Sequence, residues 1–237
     1  MVDIINNMSL VEKYRPKYLT NIVGQENITK LLSKIVENCK NNKMVMIPNL
    51  LFYGLPGTGK TTTILAFCNE LFGPKYIKDR VLEINASSQR GIDNIRNTVM
   101  KFARYSINNF EVDRNNDKMK KYFKKYPVPP FKIIILDEAD ALTMEAQTSL
   151  RKIMEDYSNN TRFCIICNYY EKIIKPLVSR CIYMNFNPIN NIKAQKYLKI
   201  IMKKENLNIN DQKIEELLAH NNGDLRKIIN TLQEIEQ

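Results

Sequence analysis

The segment "NLLFYGLPGTGKT", residues 49–61, constrains the fold more than any other part of the chain. An apolar run leads directly into the pattern GxxxxGKT at residues 54–61, and a helical pattern follows it. The glycines let the backbone wrap around a phosphate chain, and the amides at the start of the helix face the anion. Because this loop needs a strand before it and a helix after it, the sequence predicts an α/β fold with a nucleotide site.

Continuous apolar runs recur along the chain and alternate with helical patterns. A run without polar alternation suits a strand that is covered on both faces. Strands that alternate with helices form a parallel sheet. The sequence therefore predicts a central parallel β-sheet flanked by helices, with strands at residues 49–53, 81–85, 132–137, 162–167 and 181–186.

The last fifth of the chain has a different pattern, because no strand signal follows Pro188. Three helical patterns begin there, near Ile192, Asp211 and Asp224. A cluster of Asn and Gly between the last two is typical of a helix stop. We therefore predict two domains, an α/β nucleotide-binding domain at residues 1–187 and a small three-helix domain at residues 188–237.

Composition limits the class of protein. The chain has 237 residues, 44% of them hydrophobic, which is enough to bury a core. It has no apolar stretch of the roughly 18 residues that a membrane span needs, and its start lacks the features of a secretory leader. Its five cysteines are scattered, so we expect a reducing compartment inside the cell. Cys164 and Cys167 lie on a predicted strand, where side chains three apart face opposite sides and cannot share one metal ion.

The net charge of +11 indicates a polyanionic partner, although a chain rich in Lys, Asn and Ile can reach this charge without a functional patch. The segment at residues 108–130 is polar and basic and ends in a proline-rich stop, so we predict a mobile insertion there. Its lysines either meet a phosphate backbone or form a solvated loop. Charge alone leaves both interpretations open.

Polar side chains at predicted strand ends complete the predicted site. Lys60 of the loop reaches the β- and γ-phosphates, and Thr61 can ligate Mg²⁺. Asp137 ends the third predicted strand, at the sheet edge where ligands bind, so it is placed to hold the metal ion. Glu138 can orient or deprotonate an attacking water, which favours hydrolysis over transfer to a bound substrate. Asn168 follows the next strand and either contacts the γ-phosphate or the water, or caps a loop.

Four further stretches complete a family pattern, namely "VEKYRP" at residues 11–16, "LDEAD" at 136–140, "SRC" at 179–181 and "GDLRK" at 223–227. With the phosphate loop they resemble the AAA+ ATPases and, more narrowly, the small subunits of replication factor C, the eukaryotic clamp loader. The resemblance covers essentially the whole chain, and "ELFGPKY" and "LVSRC" bring it closest to the animal subunit-four type. It implies a P-loop AAA+ domain followed by a helical lid, with ATP and Mg²⁺ as cofactors.

The resemblance also implies a role for each matching residue. The segment that packs around the adenine base corresponds to Val11, Tyr14, Arg15, Pro16 and Val23. The phosphate loop corresponds to Gly54, Pro56, Gly57, Thr58, Gly59, Lys60, Thr61 and Thr62. Asn168 takes the first sensor position, and Arg226 takes the second, from which it reaches the phosphates. Arg180 of "SRC" has no acidic residue near it in the sequence and is implied to be a finger offered to ATP on the adjacent subunit; without the resemblance it is a surface arginine.

The implied partners are other replication factor C subunits in a hetero-pentameric ring, the sliding clamp and primer-template DNA, and the implied location is the nucleus. The helix in "NASSQRGIDNIRNTVMKFAR" corresponds to one that tracks duplex phosphates in the family, which nominates Arg90, Arg96 and Lys101. Gln147 and Arg151 share one helix face. That face lies near the subunit interface in the family, and an ordinary exposed face is the alternative.

Family members continue with a further helical domain that holds the five-subunit ring together, whereas this sequence ends at Gln237. A piece of a longer chain and a chain that lacks this collar both agree with the sequence. We expect an ATP-binding clamp-loader subunit that is a weak ATPase by itself, because its finger serves a neighbour. The alternatives are a nucleotide-binding scaffold subunit without turnover and another AAA+ machine that remodels DNA.

Overall fold

Five parallel strands form the sheet, in the order β2-β3-β4-β1-β5. Their bounds are β1 Asn49–Gly54, β2 Val81–Asn85, β3 Lys132–Asp137, β4 Thr161–Cys167 and β5 Cys181–Phe186. The computed structural model describes residues 8–41, 47–88, 92–105, 117–221 and 223–236. All five predicted strands are present, and every pairing between them is parallel. The predicted sheet is therefore confirmed.

The α-helices of the described ranges alternate with these strands and then continue alone. They are α1 Leu10–Lys13, α2 Glu26–Lys40, α3 Lys60–Arg80, α4 Ile92–Arg104, α5 Asp117–Lys125, α6 Met144–Asp156, α7 Lys175–Val178, α8 Asn191–Glu205, α9 Asp211–His220 and α10 Leu225–Glu236. Short 3₁₀ helices lie at Leu19–Asn21, Ala139–Ala141 and Tyr170–Lys172. No helix in the described part combines the length and the apolar character needed to cross a membrane. The predicted α/β class is confirmed.

The apolar runs form strands because helices cover both faces of the sheet. In β3, Ile133 packs into one hydrophobic cluster with α2 and α3, whereas Ile134 packs into another with α4 and α6. Successive side chains of a strand point to opposite faces, so a strand covered on both sides must be apolar throughout. Cys164 and Cys167 accordingly lie in different clusters, on opposite sides of the sheet.

The three helices after β5 form a hydrophobic cluster of their own. α8, α9 and α10 begin within one residue of their predicted starts. Asn190 and Asn210 cap the first two, since each side chain accepts a hydrogen bond from a backbone amide of the first turn. Leu198 and Ile228 are fully buried in this cluster, and Leu10 of α1 packs into it as well. The domain boundary remains a prediction, and this separate apolar core is an observation in its favour.

The prediction of a mobile insertion is wrong for residues 117–130, while residues 108–116 lie outside the described ranges. Helix α5 packs on the second half of α3 through Met119, Tyr122 and Phe123. These apolar residues recur at helical spacing within a basic segment, so the helix has one buried face and one lysine-rich face. The lysines obscured this amphipathic pattern in the sequence.

A glycine in α3 makes room for α5. Gly73 has a φ of +63°, and a Cβ atom there would lie 2.4 Å from the hydroxyl oxygen of Tyr122. That hydroxyl donates a hydrogen bond to the carbonyl of Phe72, at 2.9 Å. Only glycine combines the left-handed backbone with so close an approach. The break in α3 is therefore part of how α5 is held.

Candidate functional site

A cavity of about 190 Å³ opens at the carboxyl ends of β1, β3 and β4, below α8 and α10. Open α/β sheets bind their ligands at this edge. The cavity is lined by Val11, Arg15, Pro16, Ile22, Val23, Pro56, Gly57, Thr58, Gly59, Lys60, Thr61, Thr62, Asp137, Glu138, Asn168, Ile189, Tyr197, Leu225, Arg226 and Ile229. Most of the predicted nucleotide-site residues therefore surround one space.

The phosphate loop connects β1 to α3 and also contacts the helical part of the chain. Gly57 has a φ of +76°, and a Cβ atom there would lie 2.0 Å from a carboxylate oxygen of Asp224. A side chain at this position would push away the start of α10 as well as strain the loop. Among the described residues, no side chain caps the first turn of α3, so its backbone amides are available to an anion.

Lys60 is held inside the loop. The residue is 8% exposed, and its ammonium group donates hydrogen bonds to the carbonyls of Gly54 at 2.6 Å and Leu55 at 2.9 Å. A third bond reaches Oδ1 of Asn168, at 2.9 Å. Burial lowers the pKa of Lys60, and the nearby Asp137 carboxylate partly opposes this shift. The ammonium group is thus oriented by neutral carbonyls next to an acid.

Thr61 and Asp137 form the candidate metal site. The Thr61 hydroxyl donates to Oδ2 of Asp137 at 2.6 Å, and Oδ1 of the same carboxylate accepts from the backbone amide of Glu138 at 2.9 Å. Hydroxyl and carboxylate oxygens are ligands that Mg²⁺ prefers, together with phosphate oxygens and water. The residues present therefore fit a magnesium ion shared with a bound phosphate chain.

Glu138 stands at the cavity with a strained backbone. Its φ is +54°, in the left-handed region that residues other than glycine seldom adopt. It directly follows β3 and precedes the 3₁₀ helix at Ala139–Ala141, and its side chain is exposed. Such strain persists where the surrounding structure imposes it and is concentrated at active sites. Its predicted role towards an attacking water remains a prediction.

Asn168 belongs to the cavity and not only to a loop. Its amide oxygen accepts from Lys60, and its backbone amide donates to a carboxylate oxygen of Asp140 at 3.2 Å. The second contact fixes the backbone at the end of β4, so that the side chain is free to face the phosphate loop. This placement supports the sensor position that the resemblance implies.

The part of the cavity away from the phosphate loop contains residues that the sequence did not reveal. Val11, Arg15, Pro16 and Val23 line it as predicted, whereas Tyr14 is absent from the lining and its hydroxyl bonds to Glu205 instead. The additional lining residues are Ile22, Ile189, Tyr197, Leu225 and Ile229. Ile22 and Leu225 adjoin predicted residues in the sequence, but the others carry no motif.

Arg180 lies away from its own chain's cavity. It forms an ion pair of 2.5 Å with Glu155 of α6, and its guanidinium also donates to the carbonyl of Pro176. The expectation that it has no counter-ion is therefore corrected, because α6 and α7 pack together and bring the acid close. The side chain is 37% exposed, so one side remains open to another molecule.

Gln147 is a buried structural residue, so the expectation that it forms part of an exposed or interfacial helix face is wrong. It is 2% exposed and donates to the carbonyls of Leu142 and Lys172, while its amide oxygen accepts from the backbone amide of Ile174. Arg151, one turn later, is half exposed and lies 3.8 Å from the carboxylate of Glu155. The two residues thus have different environments.

The predicted DNA residues are exposed where the structure describes them. Arg96 and Lys101 project from α4, whose other face buries Ile95 and Val99 against the sheet. Arg90 lies outside the described ranges. The arrangement is compatible with contacts to phosphates.

Comparisons with known proteins agree with this geometry. The ATPase family associated with various cellular activities (AAA) matches residues 50–188. Replication factor C subunit 4 of Homo sapiens is 48% identical over 223 residues, which cover 94% of this chain and 57% of that protein. Replication factor C subunit 2 of Phaeosphaeria nodorum is 45% identical over 231 residues, which cover 94% of this chain and 55% of that protein. The chain thus spans less than two thirds of the length of these relatives.

Solved structures with the same fold are more distant in sequence. The Thermotoga maritima RuvB Holliday junction branch migration motor matches with a TM-score of 0.66 at 18% identity, covering 94% of this chain and 65% of that one. A single-site variant of the same motor gives a TM-score of 0.68 at 17% identity, over the same shares. Identity this low shows the fold alone.

The family match covers more than half of the sequence. It includes the phosphate loop and the strand ends that carry Asp137, Glu138 and Asn168. The chain therefore belongs to the AAA family of ATPases.

Proposed function

We propose that this chain is an ATP-binding subunit of a clamp loader of the replication factor C type. In this proposal, ATP binding lets the complex open a sliding clamp and place it on primer-template DNA, and hydrolysis releases the clamp. The observation that carries the proposal is the convergence of Lys60, Asp137 and Asn168 at one sheet edge, facing Arg226 of α10. The relatives that are named replication factor C subunits favour this machine over other AAA ATPases.

The cavity accommodates the two ends of ATP differently. The phosphates lie against the loop amides and the ammonium group of Lys60, which is held there by its carbonyl partners. The base lies among the apolar side chains between Val11, Val23 and Ile229. Thr61 and Asp137 would hold Mg²⁺, which neutralises phosphate charge when it is bound. Arg226 reaches the phosphates from α10 and so relates nucleotide binding to the position of the lid.

Hydrolysis in this proposal uses Glu138 and Asn168, which directly follow β3 and β4. Glu138 accepts a proton from a water molecule whose oxygen attacks the γ-phosphorus, while the bond to the oxygen bridging the β- and γ-phosphates breaks. The products are ADP and inorganic phosphate. Asn168 orients the water or the γ-phosphate through its amide group, because Lys60 fixes the amide in the cavity.

Arg180 serves a neighbouring subunit in this proposal. It lies outside its own chain's cavity, and its pairing with Glu155 holds the guanidinium at the surface. A finger supplied in trans stabilises the charge that develops on transferred phosphate and is worth roughly a thousandfold or more in rate. We therefore expect this chain to hydrolyse ATP slowly by itself. Hydrolysis becomes faster when other replication factor C subunits join it in a ring of five and one of them supplies an arginine to its site.

The basic face of α4 is proposed to contact primer-template DNA, through Arg96 and Lys101 together with Arg90. Their contacts would go to phosphates, which position a protein on any sequence. A loader must act at every primer end, so contacts without base specificity suit it. Nuclear localisation follows from the same proposal, since the clamp and the DNA are there.

The experiment that tests this function compares Arg180→Ala with the unmodified subunit in the reconstituted complex. ATP turnover stimulated by clamp and DNA is measured, with ATP binding at this subunit's own site as one control. Lys213→Ala, which removes an exposed positive charge on α9, is the matched variant. We expect hydrolysis at the neighbouring subunit's site, the one that Arg180 reaches, to fall by roughly a thousandfold for Arg180→Ala and to stay unchanged for Lys213→Ala. Unchanged turnover would leave a nucleotide-binding scaffold subunit as the better interpretation.

A further inference from the structure

The segment at residues 10–16, here called the N-terminal strap, forms one wall of the cavity. Val11, Arg15 and Pro16 contribute the lining. The strap includes α1 and runs past the helices α8 and α10 before the chain turns towards α3. How this wall is held therefore determines the shape of the base side of the cavity.

The first part of the strap is attached to the helices after β5. The backbone amide of Leu10 donates to Oε1 of Gln233 on α10, at 3.0 Å. The hydroxyl of Tyr197 on α8 donates to the carbonyl of Tyr14, at 2.6 Å. Leu10 also packs into the hydrophobic cluster that α8, α9 and α10 form. The strap is thus a part of this helical group although more than 170 residues separate it from α8.

Glu205 makes the most concentrated attachment. It is the last residue of α8, and its side chain is 12% exposed. Oε1 accepts a hydrogen bond from the hydroxyl of Tyr14, and the ammonium nitrogen of Lys13 lies close to both oxygens, 2.7 Å from Oε1 and 2.9 Å from Oε2. These bonds, the one from Lys13 first, hold the pKa of Glu205 below its usual value. Glu205 itself is not among the residues that line the cavity.

The residues directly after the strap are attached elsewhere. The side-chain amide of Asn69 donates to the carbonyl of Lys17 at 3.0 Å, and the amide of Leu19 donates to Oε1 of Glu70 at 2.7 Å. Asn69 and Glu70 both belong to α3, the helix that the phosphate loop begins. The chain therefore passes from the helical group to the sheet side within residues 14–17, where Pro16 restricts the backbone.

We propose that Glu205 is a positioning residue for the nucleotide base. Through Tyr14 and Lys13 it holds the wall formed by Val11, Arg15 and Pro16 to the same helical group that carries Arg226, so the wall and Arg226 move together. Its effect is on the base, since loosening the wall leaves the loop at residues 54–61 and Arg226 of α10 in place to hold the phosphates. The inference rests on the proposed ATP site and adds a residue to it.

The test uses two variants, each alone and both combined, and two ligands. Glu205→Gln keeps the shape of the side chain and removes its charge, and Tyr14→Phe removes only the hydroxyl. The matched control is Asp211→Asn on α9. It removes the ion pair of 2.8 Å that Asp211 forms with Lys199 of α8. Dissociation constants are measured for ATP and for inorganic tripolyphosphate, which occupies the phosphate loop but has no base. Thermal unfolding identifies any variant that does not fold.

We expect Glu205→Gln and Tyr14→Phe each to weaken ATP binding about threefold to tenfold, with a combined effect smaller than the product of the two. Tripolyphosphate affinity should stay within about twofold, and Asp211→Asn should change neither constant. Unchanged ATP affinity in Tyr14→Phe and Glu205→Gln, or an equal loss for both ligands, would overturn the inference while leaving the ATP site in place. An unmodified chain that binds neither ligand would overturn the proposed function itself.

Discussion

The amide oxygen of Asn168 lies 2.9 Å from the ammonium nitrogen of Lys60, although 108 residues separate them in the chain. The two residues follow β4 and β1, which are neighbours in the sheet, so the parallel pairing brings their strand ends together. In the proposed function, a γ-phosphate that reaches Lys60 therefore reaches Asn168 as well. The contact makes Asn168 part of the proposed phosphate site.

Lys60→Met should weaken ATP binding at least tenfold, about 1.4 kcal/mol, and leave the fold intact. The substitution keeps an unbranched side chain in the loop but removes the charge that faces the phosphates. Calorimetric titration with ATP measures the change, and Lys213→Met on α9 serves as the control for a lost surface charge. ATP affinity equal to that of the unmodified chain would contradict the assignment of this loop as the phosphate site.

Glu138→Gln should lower the turnover number of the assembled complex about a hundredfold or more at this subunit's site, while ATP affinity changes little. The amide cannot accept the proton of the attacking water, but it has the same shape and the same exposed position. Single-turnover hydrolysis and ATP binding are measured in parallel. A loss of binding equal to the loss of rate would show that Glu138 holds the nucleotide and is not the base.

Gln147→Leu should lower the free energy of unfolding by about 2–4 kcal/mol. The leucine fits the buried volume but leaves the carbonyls of Leu142 and Lys172 and the amide of Ile174 without their partner. Urea unfolding measures the effect, and Glu145→Gln, exposed on the same helix, is the control. A loss below about 0.5 kcal/mol would mean that water replaces these bonds.

Gly73→Ala should destabilise the protein by about 2 kcal/mol or more. The methyl group would meet the hydroxyl of Tyr122 and the ring of Tyr126, and the backbone at φ +63° disfavours a side chain. Tyr122→Phe removes the hydrogen bond to the carbonyl of Phe72 and the one accepted from the exposed amide of Lys75, but no packing, and should cost only about 1 kcal/mol. Denaturant unfolding measures the loss of unfolding free energy in each variant. A larger loss in Tyr122→Phe than in Gly73→Ala would show that α5 is not held by this close approach.

The contribution of Glu205 to stability should depend on pH. Its pKa in the folded chain lies below the ordinary value of 4.5, so its stabilisation is fully present above 4.5 and is lost as the pH falls through the folded-state pKa. The difference in unfolding free energy between the unmodified chain and Glu205→Gln should thus be constant from about pH 7 to about pH 5 and shrink below it. Urea unfolding at a series of pH values measures this, and a difference that persists at about pH 2 would contradict it. Lys13→Met should flatten the dependence, because it removes the largest cause of the shift.

The sequence by itself determined the sheet and most of the residues that surround the cavity. The bounds of β2, β3 and β5 agree with the apolar runs, because a strand covered on both faces leaves no position for a polar side chain. The sequence also predicts that Lys60, Asp137 and Asn168 lie close together at one edge of the sheet. Parallel strands end at one edge, so polar residues that directly follow them meet there.

Only the tertiary structure decided contacts that depend on how distant elements pack. Glu155 pairs with Arg180, Gln147 is buried between two loops, and Tyr197 lines the cavity, none of which follows from a local pattern. The sequence predicts a mobile segment where α5 lies, because the lysines of this helix outnumber its apolar residues. Only its packing on α3 shows that the apolar residues form one buried face. The spacing of apolar residues specifies a helix or a strand, and a motif specifies the chemistry of its side chains. Which residue a side chain contacts depends instead on how elements far apart in the chain pack together.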